Sequence, residues 1–299
     1  MNKPRSPSEV ISAEQQNVDV RMRIEIRDIG IPPRPTILSE IDLEMAKEEP
    51  DFNRLAGLIG SDVALAAGLI KTTNSPFFGF SKKVRTVQEA MLVLGLKLVT
   101  RTIAGLALQN IFPYVPSLER FWDTSASTAR ASGWLAQRLR IKLAIRPSDA
   151  YTFALFRDCG IPVLLIPFPE YSAVLQQANE DKEIGFTEIE NKLLGTNHAS
   201  IGSELAESWL LPEDISTGIR HHHDIAVIGA LCSVPISIAS RQLIAISQVA
   251  EYLVQAQTGM NKSCEWDKLG STCLEFLEIT SAELVEIVNE YRASTNDNE

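Results

Sequence analysis

Apolar residues recur at three- and four-residue spacing along most of the chain, which is the periodicity of amphipathic helices. After Pro35, Thr36 is placed to begin a helix with an apolar face at positions 37, 38, 41 and 45. Pro50-Asp51 and then Ser61-Asp62 mark the starts of further helices, because proline and capping side chains favour the first turn. The same spacing predicts long helices from Val99 to Ile111, from Leu118 to about Leu139 and from Pro235 to Ala256.

Three segments have the sequence of a capping box, in which a threonine and the glutamate three residues later bond each other's backbone N–H groups. They are Thr86–Glu89, Thr187–Glu190 and Thr280–Glu283. Each is followed by apolar residues at helical spacing, so each predicts the start of a helix.

One segment breaks the helical pattern. Residues 18–26, VDVRMRIEI, alternate apolar and charged positions, as a half-exposed strand does. Three interpretations stay open: a single short strand, a short helix leading into Ile31-Pro32-Pro33, or a strand that pairs with a second copy of the chain in a homodimer. The polar residues 1–17 are predicted to be a disordered tail. The predicted fold class is therefore all-α, a multi-helix architecture with at most this one N-terminal strand.

Composition and charge narrow the functional classes. With 299 residues, 45% of them hydrophobic and 22% charged, the chain has the composition of a globular protein with a sizeable core. The formal net charge of −10 argues against sequence-independent binding to nucleic acid, which needs a basic surface. No apolar run reaches the roughly 20 residues of a membrane span, and the N-terminus lacks the apolar segment of a secretory signal. The four cysteines show no C-x-x-C spacing and are interpreted as reduced thiols of a cytoplasmic protein.

All four histidines lie in one stretch, Thr196–Asp224. His198 stands near the start of one helical pattern, and residues 221–223 are consecutive histidines at the end of the next. A histidine on one helix and a histidine pair at the end of another could therefore converge on a single point. Imidazole groups brought together in this way are good ligands for a divalent metal.

The order of motifs along the chain resembles the HDOD family, the HD-related output domain of bacterial signalling proteins. The resemblance rests on LAGLIGSDVALAAGLIKTTNSPFFGF and VRTVQEAMLVLGL in the first half, and on FWDTSASTA, ALFRDCG and GSELAESWLLP followed by HHHD in the second. It extends over about residues 35–254 and implies an HDOD domain at 18–254. Within that domain, 35–115 would be an N-terminal helical half and 116–254 a degenerate HD-like half. Residues 255–299 are predicted to form a C-terminal helical extension.

The resemblance also implies where a catalytic site would lie. Active HD phosphohydrolases hold a divalent metal with a histidine on one helix, a His-Asp pair on another and a later aspartate, and the metal activates water. Aligned by motif, this chain has Thr124 for the first histidine, Arg157-Asp158 for the pair and Glu251 near the last aspartate. These are degenerate positions, so no catalytic residue is expected. Because arginine stays protonated and cannot coordinate a metal, we expect Arg157 to pair with Asp158, Glu251 or both, or else to extend its charge to solvent.

The remaining histidines have two interpretations. His198, His222 and His223 match the additional histidines of the HD-GYP branch, although no Gly-Tyr-Pro follows them. With Asp158 they form the set that could still hold a metal such as zinc or iron. In the interpretation we adopt, His198 is a satisfied, half-buried histidine and residues 221–223 cap a helix C-terminus, where positive charge is favoured. No metal or cofactor is then expected.

These features favour a non-catalytic regulatory protein that binds a partner protein or a small signal through its HDOD domain. The expected partners are other signalling proteins, without nucleic acid or membrane, and the chain could form a homodimer. The alternative is a residual metal-dependent phosphohydrolase that acts on a nucleotide or a cyclic dinucleotide. Resemblance at the level of the fold supports either function by analogy only.

Overall fold

The computed structural model describes residues 29–80, 82–112, 116–230, 232–259 and 264–296. Every regular element within these ranges is helical, which confirms the predicted all-α fold. The predicted tail at 1–17 and the alternating segment at 18–26 lie outside the described residues.

The first half of the described chain is a group of short helices. They are α1 (Thr36–Met45), α2 (Phe52–Gly60), α3 (Val63–Thr73), a 3-10 turn (Pro76–Phe78), α4 (Val87–Leu94) and α5 (Leu96–Ile111). Helices α3, α4 and α5 pack on one another. Leu69 of α3 and Ile103 of α5 are fully buried in the core of this half.

The second half contains the longer helices and the histidine stretch. Its helices are α6 (Pro116–Arg138), α7 (Pro147–Phe156), α8 (Gly160–Leu164), α9 (Tyr171–Glu180), α10 (Phe186–Leu194), α11 (His198–Ser208), α12 (Glu213–His221), α13 (Ile225–Ile228) and α14 (Ile238–Thr258). Two further helices, α15 (Glu265–Phe276) and α16 (Ser281–Asn296), pack against α14. Because α14 continues to Thr258, the expected boundary between residues 254 and 255 falls inside this helix.

Within the described residues, no single helix combines the length and apolarity that a bilayer span requires. Helices α2 and α3, which meet at an angle of 111°, pass that test only when taken together, by length and composition.

Side-chain caps set the starts of several helices. Asp51 accepts hydrogen bonds from the first-turn N–H groups of α2, and Asp62 does the same for α3, at 2.8–3.1 Å. Ahead of α16, Thr280 and Glu283 bond each other's backbone N–H groups at 3.2 and 2.8 Å. These three predicted starts are confirmed.

The other two capping predictions need correction. At the start of α4, Thr86 accepts from the N–H of Glu89 as predicted, but Glu89 bonds the N–H of Arg85 rather than that of Thr86. The capping box at Thr187–Glu190 is wrong, since α10 begins earlier, at Phe186. Glu190 lies on the buried face of α10, so its carboxylate turns into the protein instead of back to the helix start.

Helix α7 is the element that carries the site into the interior. Every residue from Ala150 to Phe156 is buried, and the helix packs against α6, α12 and α14. Each fully buried aromatic ring, such as Phe153 or Phe156, contributes on the order of 2–3 kcal/mol. Because α7 ends within the protein, the residue that follows it, Arg157, is buried and the next, Asp158, is half-buried.

A close approach of two backbones brings Asp158 to the histidine stretch. Helices α8 and α11 meet at Gly160 and Gly202. A Cβ atom on Gly160 would lie 2.1 Å from the carbonyl oxygen of His198 and 2.8 Å from the amide nitrogen of Gly202. Only glycine therefore permits this contact, which sets Asp158 and His198 side by side.

We expect Gly160→Ala to lower the free energy of unfolding by about 1–3 kcal/mol, because the added methyl group meets backbone that cannot move aside. Gly57→Ala in α2 is the control, since nothing lies within 4 Å of its Cβ position. That variant should gain roughly 0.5–1 kcal/mol from the higher helix propensity of alanine. Urea denaturation of both variants measures the difference, and an equal effect would contradict the close approach.

Candidate functional site

Four side chains from separate parts of the second half meet beside the end of α7. Asp158 follows that helix, His198 is the first residue of α11, His222 caps the C-terminus of α12 and His223 comes next. Asn197 fixes the start of α11 by accepting the N–H of Ser200 at 2.8 Å. The sequence allowed one histidine to converge with a later histidine pair, and the structure brings His198, His222 and His223 together.

We call these four side chains the histidine–aspartate cluster. Each directs one nitrogen or oxygen atom towards the other three side chains. The Nε2 atom of His198 lies 3.2 Å from the Nε2 atoms of both His222 and His223. The Oδ1 atom of Asp158 is 3.2 Å from His222 Nε2 and 3.6 Å from His198 Nε2. All four of these atoms lie within 4.8 Å of one another.

Each histidine of the cluster is oriented through its other ring nitrogen. His198 Nδ1 donates to the carboxylate of Glu190 at 2.8 Å, and His223 Nδ1 donates to Glu265 at 2.6 Å. His222 Nδ1 donates to the carbonyl oxygen of Ile219 at 2.7 Å. With every Nδ1 bonded outwards, every Nε2 is left pointing into the cluster.

Glu190 is the buried anchor of this arrangement. It is completely buried and accepts the hydroxyl of Tyr171 together with the ring and the backbone N–H of His198. His198 is also completely buried, more so than the half-buried histidine expected from the sequence. The carboxylate therefore ties α9 and α10 to the first residue of α11.

Arg157 occupies the other side of Asp158. Its Nη2 atom lies 2.9 Å from Asp158 Oδ2 and 3.0 Å from Glu251 Oε2, so the predicted ion pair with both carboxylates is confirmed. Arg157 is 7% exposed, which excludes the alternative that it extends its charge to solvent. Its Nη1 atom is buried and has no hydrogen-bond partner among the described residues.

Asp158 thus divides its two oxygens between a guanidinium and the histidines. Burial opposes ionisation, but the Arg157 charge and the hydrogen bonds from His198 and His222 outweigh it and hold the pKa of Asp158 well below its usual range. Burial also opposes the charge of Arg157, yet Asp158 and Glu251 raise its pKa above the ordinary value. Both groups are therefore charged at neutral pH.

The histidines differ in charge because their neighbours differ. Burial lowers the pKa of His198, but the Glu190 charge and the bonds to Asp158 and Glu190 prevail and raise it to about 9. Burial and the adjacent His223 lower the pKa of His222 to about 3. At neutral pH, when no metal is bound, His198 therefore carries a proton on Nε2. This proton lies between nitrogen lone pairs of the cluster that would otherwise repel one another.

The donor set of the cluster fits a divalent transition metal. Three imidazole nitrogens and one carboxylate oxygen suit zinc or iron. Histidine ligands of such metals commonly donate the other ring N–H to a carboxylate or a backbone carbonyl, as all three do here. The separations of 3.2–3.6 Å between several donor atoms are close to the roughly 3.3 Å between ligands in a tetrahedral zinc shell.

A cavity of about 330 Å³ opens beside the cluster. Its charged wall includes Arg157, Asp158 and Glu251, and its apolar wall includes Leu118 and Phe121 of α6. Thr124, also on α6, is not among the described residues that line the cavity, and its hydroxyl bonds the carbonyl oxygen of Arg120. The first of the degenerate positions is therefore not brought to the site.

Two carboxylates at the site were missed by the reasoning from sequence. A signal for Glu190 was present, because an acidic residue falls on the apolar face with Phe186 and Ile189. Glu265 has no comparable signal, since it lies at the start of α15, beyond the segment that carries the resemblance. Cys159, the neighbour of Asp158, is buried, and burial raises the pKa of its thiol, which makes it unreactive.

In this helical domain, histidines from two helices meet an aspartate at the end of a third. The sequence profile of the HDOD domain matches residues 31–225, and the chain belongs to this family.

A bacterial protein matches most of this chain in sequence. The chain is 27% identical over 219 residues to an uncharacterized protein of Treponema pallidum (strain Nichols), covering 72% of this chain but only 42% of that protein. The chain thus spans less than half the length of that relative.

The solved structures show the same fold. An HDOD domain protein of unknown function from Geobacter sulfurreducens has a TM-score of 0.64 and 22% identity, with 94% of this chain and 96% of that chain covered. A protein of Shewanella amazonensis SB2B, provisionally named a phosphohydrolase, has a TM-score of 0.65 and 19% identity, with 92% of this chain and 95% of that chain covered. A protein of Marinobacter aquaeolei VT8, provisionally named a signal transduction protein, has a TM-score of 0.60 and 23% identity, with 95% of this chain and 65% of that chain covered.

Replacing Glu190 by alanine removes the acceptor that Tyr171 and His198 share. Because buried donors left unpaired cost about 1–3 kcal/mol each, we expect the free energy of unfolding to fall by roughly 3 kcal/mol or more. Glu188→Ala, on the exposed face of the same helix, should change it by no more than about 0.5 kcal/mol. Chemical denaturation tests this, and similar losses in the two variants would contradict the anchoring role.

Replacing Arg157 by glutamine leaves Asp158 and Glu251 without their cation inside the protein. We expect a loss of about 3–5 kcal/mol in the free energy of unfolding. Arg220→Gln is the matched control, because Arg220 forms an exposed pair with Glu207 at 3.5 Å that contributes about 0–1 kcal/mol. An Arg157 variant as stable as this control would show that the buried pair is not needed.

Proposed function

We propose that this HDOD protein is a non-catalytic component of signal transduction, which binds a small signal or a partner protein at its second half. One observation carries the proposal: the guanidinium of Arg157 is bonded to both Asp158 and Glu251 at the heart of the HD-like site. A fixed cation that never loses its proton takes the position between these carboxylates.

The chemistry of hydrolysis explains why this arrangement disfavours an enzyme. A hydrolytic metal needs an open coordination position where water is bound and activated. Glu251 and the Oδ2 atom of Asp158 are committed to Arg157, so these oxygens are not offered to a metal. Moving Arg157 aside would leave two half-buried carboxylates without their cation, which is costly.

The cavity beside the cluster supports the binding part of the proposal. Small-molecule sites combine an apolar lining with a few polar groups, and the volume of about 330 Å³ is at the lower end of their range. Here Leu118 and Phe121 supply the apolar surface, while Arg157 has a buried Nη1–H group without a partner in the described part of the chain. A ligand with a hydrogen-bond acceptor would satisfy that group.

The second candidate function is that of a metal-dependent protein, including a residual phosphohydrolase of nucleotides or cyclic dinucleotides. It is favoured by the convergence of three Nε2 atoms and Asp158 Oδ1. When bound, a metal at this position would act as a Lewis acid. The four protein donors His198, His222, His223 and Asp158 would fill a tetrahedral shell, which is the arrangement of structural rather than catalytic zinc sites.

Metal analysis and hydrolysis assays on the full-length protein separate the two functions. After incubation with Mn²⁺, Fe²⁺ or Zn²⁺ and removal of excess metal, the bound metal is quantified. Turnover of bis-p-nitrophenyl phosphate, GTP and a cyclic dinucleotide is then measured. We expect no hydrolysis above that of the metal in buffer, whether or not metal is retained.

The adjacent histidines provide matched variants for this experiment. His222→Ala removes a member of the cluster, whereas His221→Ala removes a half-buried neighbour that lies 3.7 Å from Asp224 and outside the cluster. Any metal that is retained should be lost from the first variant only. Hydrolysis that needs metal, and that disappears in His222→Ala but persists in His221→Ala, would establish the phosphohydrolase and refute a non-catalytic role.

A further inference from the structure

A second and larger cavity lies away from the histidine–aspartate cluster. It has a volume of about 660 Å³ and is lined by residues of α3, α5, α6 and α7, by Ser75 just after α3 and by Thr295 of α16. It therefore occupies the crevice between the N-terminal helical half and the HD-like half. Nothing in the proposed function uses this space.

Two hydroxyl groups in this cavity are buried without a partner. The Oγ1 atom of Thr102 and the Oγ atom of Ser75 form no hydrogen bond with any described residue, and Thr102 is only 1% exposed. Buried polar groups in native proteins are nearly always bonded, so each exception needs an explanation. A polar ligand in the cavity would provide the missing partner.

Two cations face the same space. Lys71 of α3 and Arg130 of α6 line the cavity, and neither forms an ion pair within the described ranges. Arg130 instead donates to the hydroxyl of Ser127 at 2.9 Å. Asp123 also lines the cavity, so the wall as a whole carries a net charge of about +1. This positive wall contrasts with a chain whose formal charge is −10.

The remaining wall offers aromatic and apolar surface. Trp122 contributes an indole ring, and Leu106 and Leu155 contribute aliphatic surface. Burial raises the pKa of Tyr151 to about 12, although Arg130 and a hydrogen bond with Thr72 act against it. The phenol is therefore neutral and remains a hydrogen-bond donor.

We propose that this crevice binds a small phosphate ester that carries a flat ring, of the class of nucleoside monophosphates. A phosphate dianion matches the two unpaired cations, Lys71 and Arg130. Hydroxyl groups of a sugar match Thr102 and Ser75, and a ring has Trp122 as a surface to stack on. The cavity volume lies within the usual range for small-molecule sites.

The position of the crevice gives such a ligand contact with both halves. Helix α6 places Trp122 in the crevice and the neighbouring Phe121 in the first cavity, with their rings 4.7 Å apart. Helix α7 places Leu155 in the crevice two residues before Arg157. Helix α6 therefore lines both cavities, whereas α7 lines the crevice and ends next to Arg157, which lines the first cavity. A ligand held in the crevice also contacts α3 and α5.

Titration calorimetry of the full-length protein with AMP and GMP tests the proposal, with inorganic phosphate and guanosine as the separate parts of the ligand. We expect saturable binding of at least one nucleotide, ten times tighter or more than either part. Arg130→Gln and Lys71→Gln should each weaken it about tenfold or more. Lys83→Gln removes the same charge from an exposed position outside the crevice and should leave binding unchanged.

A third variant separates ligand binding from stability. Thr102→Val replaces an unpaired buried hydroxyl by a methyl group of similar shape, so it should raise the Tm while weakening nucleotide binding. Absence of binding to both nucleotides would overturn the proposal. So would binding that is unaffected by Arg130→Gln but lost in His223→Ala, which would place the nucleotide in the first cavity.

Discussion

The site depends on how Asp158 divides its carboxylate. One oxygen receives the guanidinium of Arg157, and the other faces His198 and His222. Because Arg157 and the histidines stabilise its negative charge, Asp158 stays ionised. It can therefore bind a fixed cation through one oxygen and a proton or metal through the other. The two interactions use different oxygens, Oδ2 for Arg157 and Oδ1 for the histidines, but they share the single charge of the carboxylate. The pairing of Arg157 with Asp158 Oδ2 therefore leaves the three imidazole Nε2 atoms beside Asp158 Oδ1.

The packing of α7 keeps the Asp158 carboxylate half-buried rather than on the surface. The run of buried residues in α7 leaves the helix no exposed face, and its end is held against α11 by the contact of Gly160 with Gly202. The apolar core and the polar site are thus consequences of the same helix placement. Burial makes every charge in the site costly alone, which is why each of Arg157, His198 and Glu265 has an oppositely charged or hydrogen-bonded neighbour.

Much of this architecture follows from the sequence, because helical periodicity and helix caps are local signals. The clustering of His198 with His222 and His223 was one of two interpretations, because each histidine lies at a recognisable point of a helix. The pairing of Arg157 was predicted from the family resemblance and from the cost of an unpaired buried charge. Glu190 was assigned to a cap because its local spacing fits one, and tertiary burial overrode that spacing. Glu265 could not be found, since its role depends on a fold-back of α15 onto residues more than 40 positions earlier, as the separation of 42 from its partner shows.

Through that fold-back, α15 contributes Glu265 to the site. His223 can keep its ring turned inward only while the carboxylate at the head of α15 holds its outer nitrogen. Lys268, one turn further on, steadies the same carboxylate at 2.9 Å. A change that displaced the start of α15 would therefore remove the acceptor of His223 Nδ1 and leave this imidazole free to turn away from the cluster.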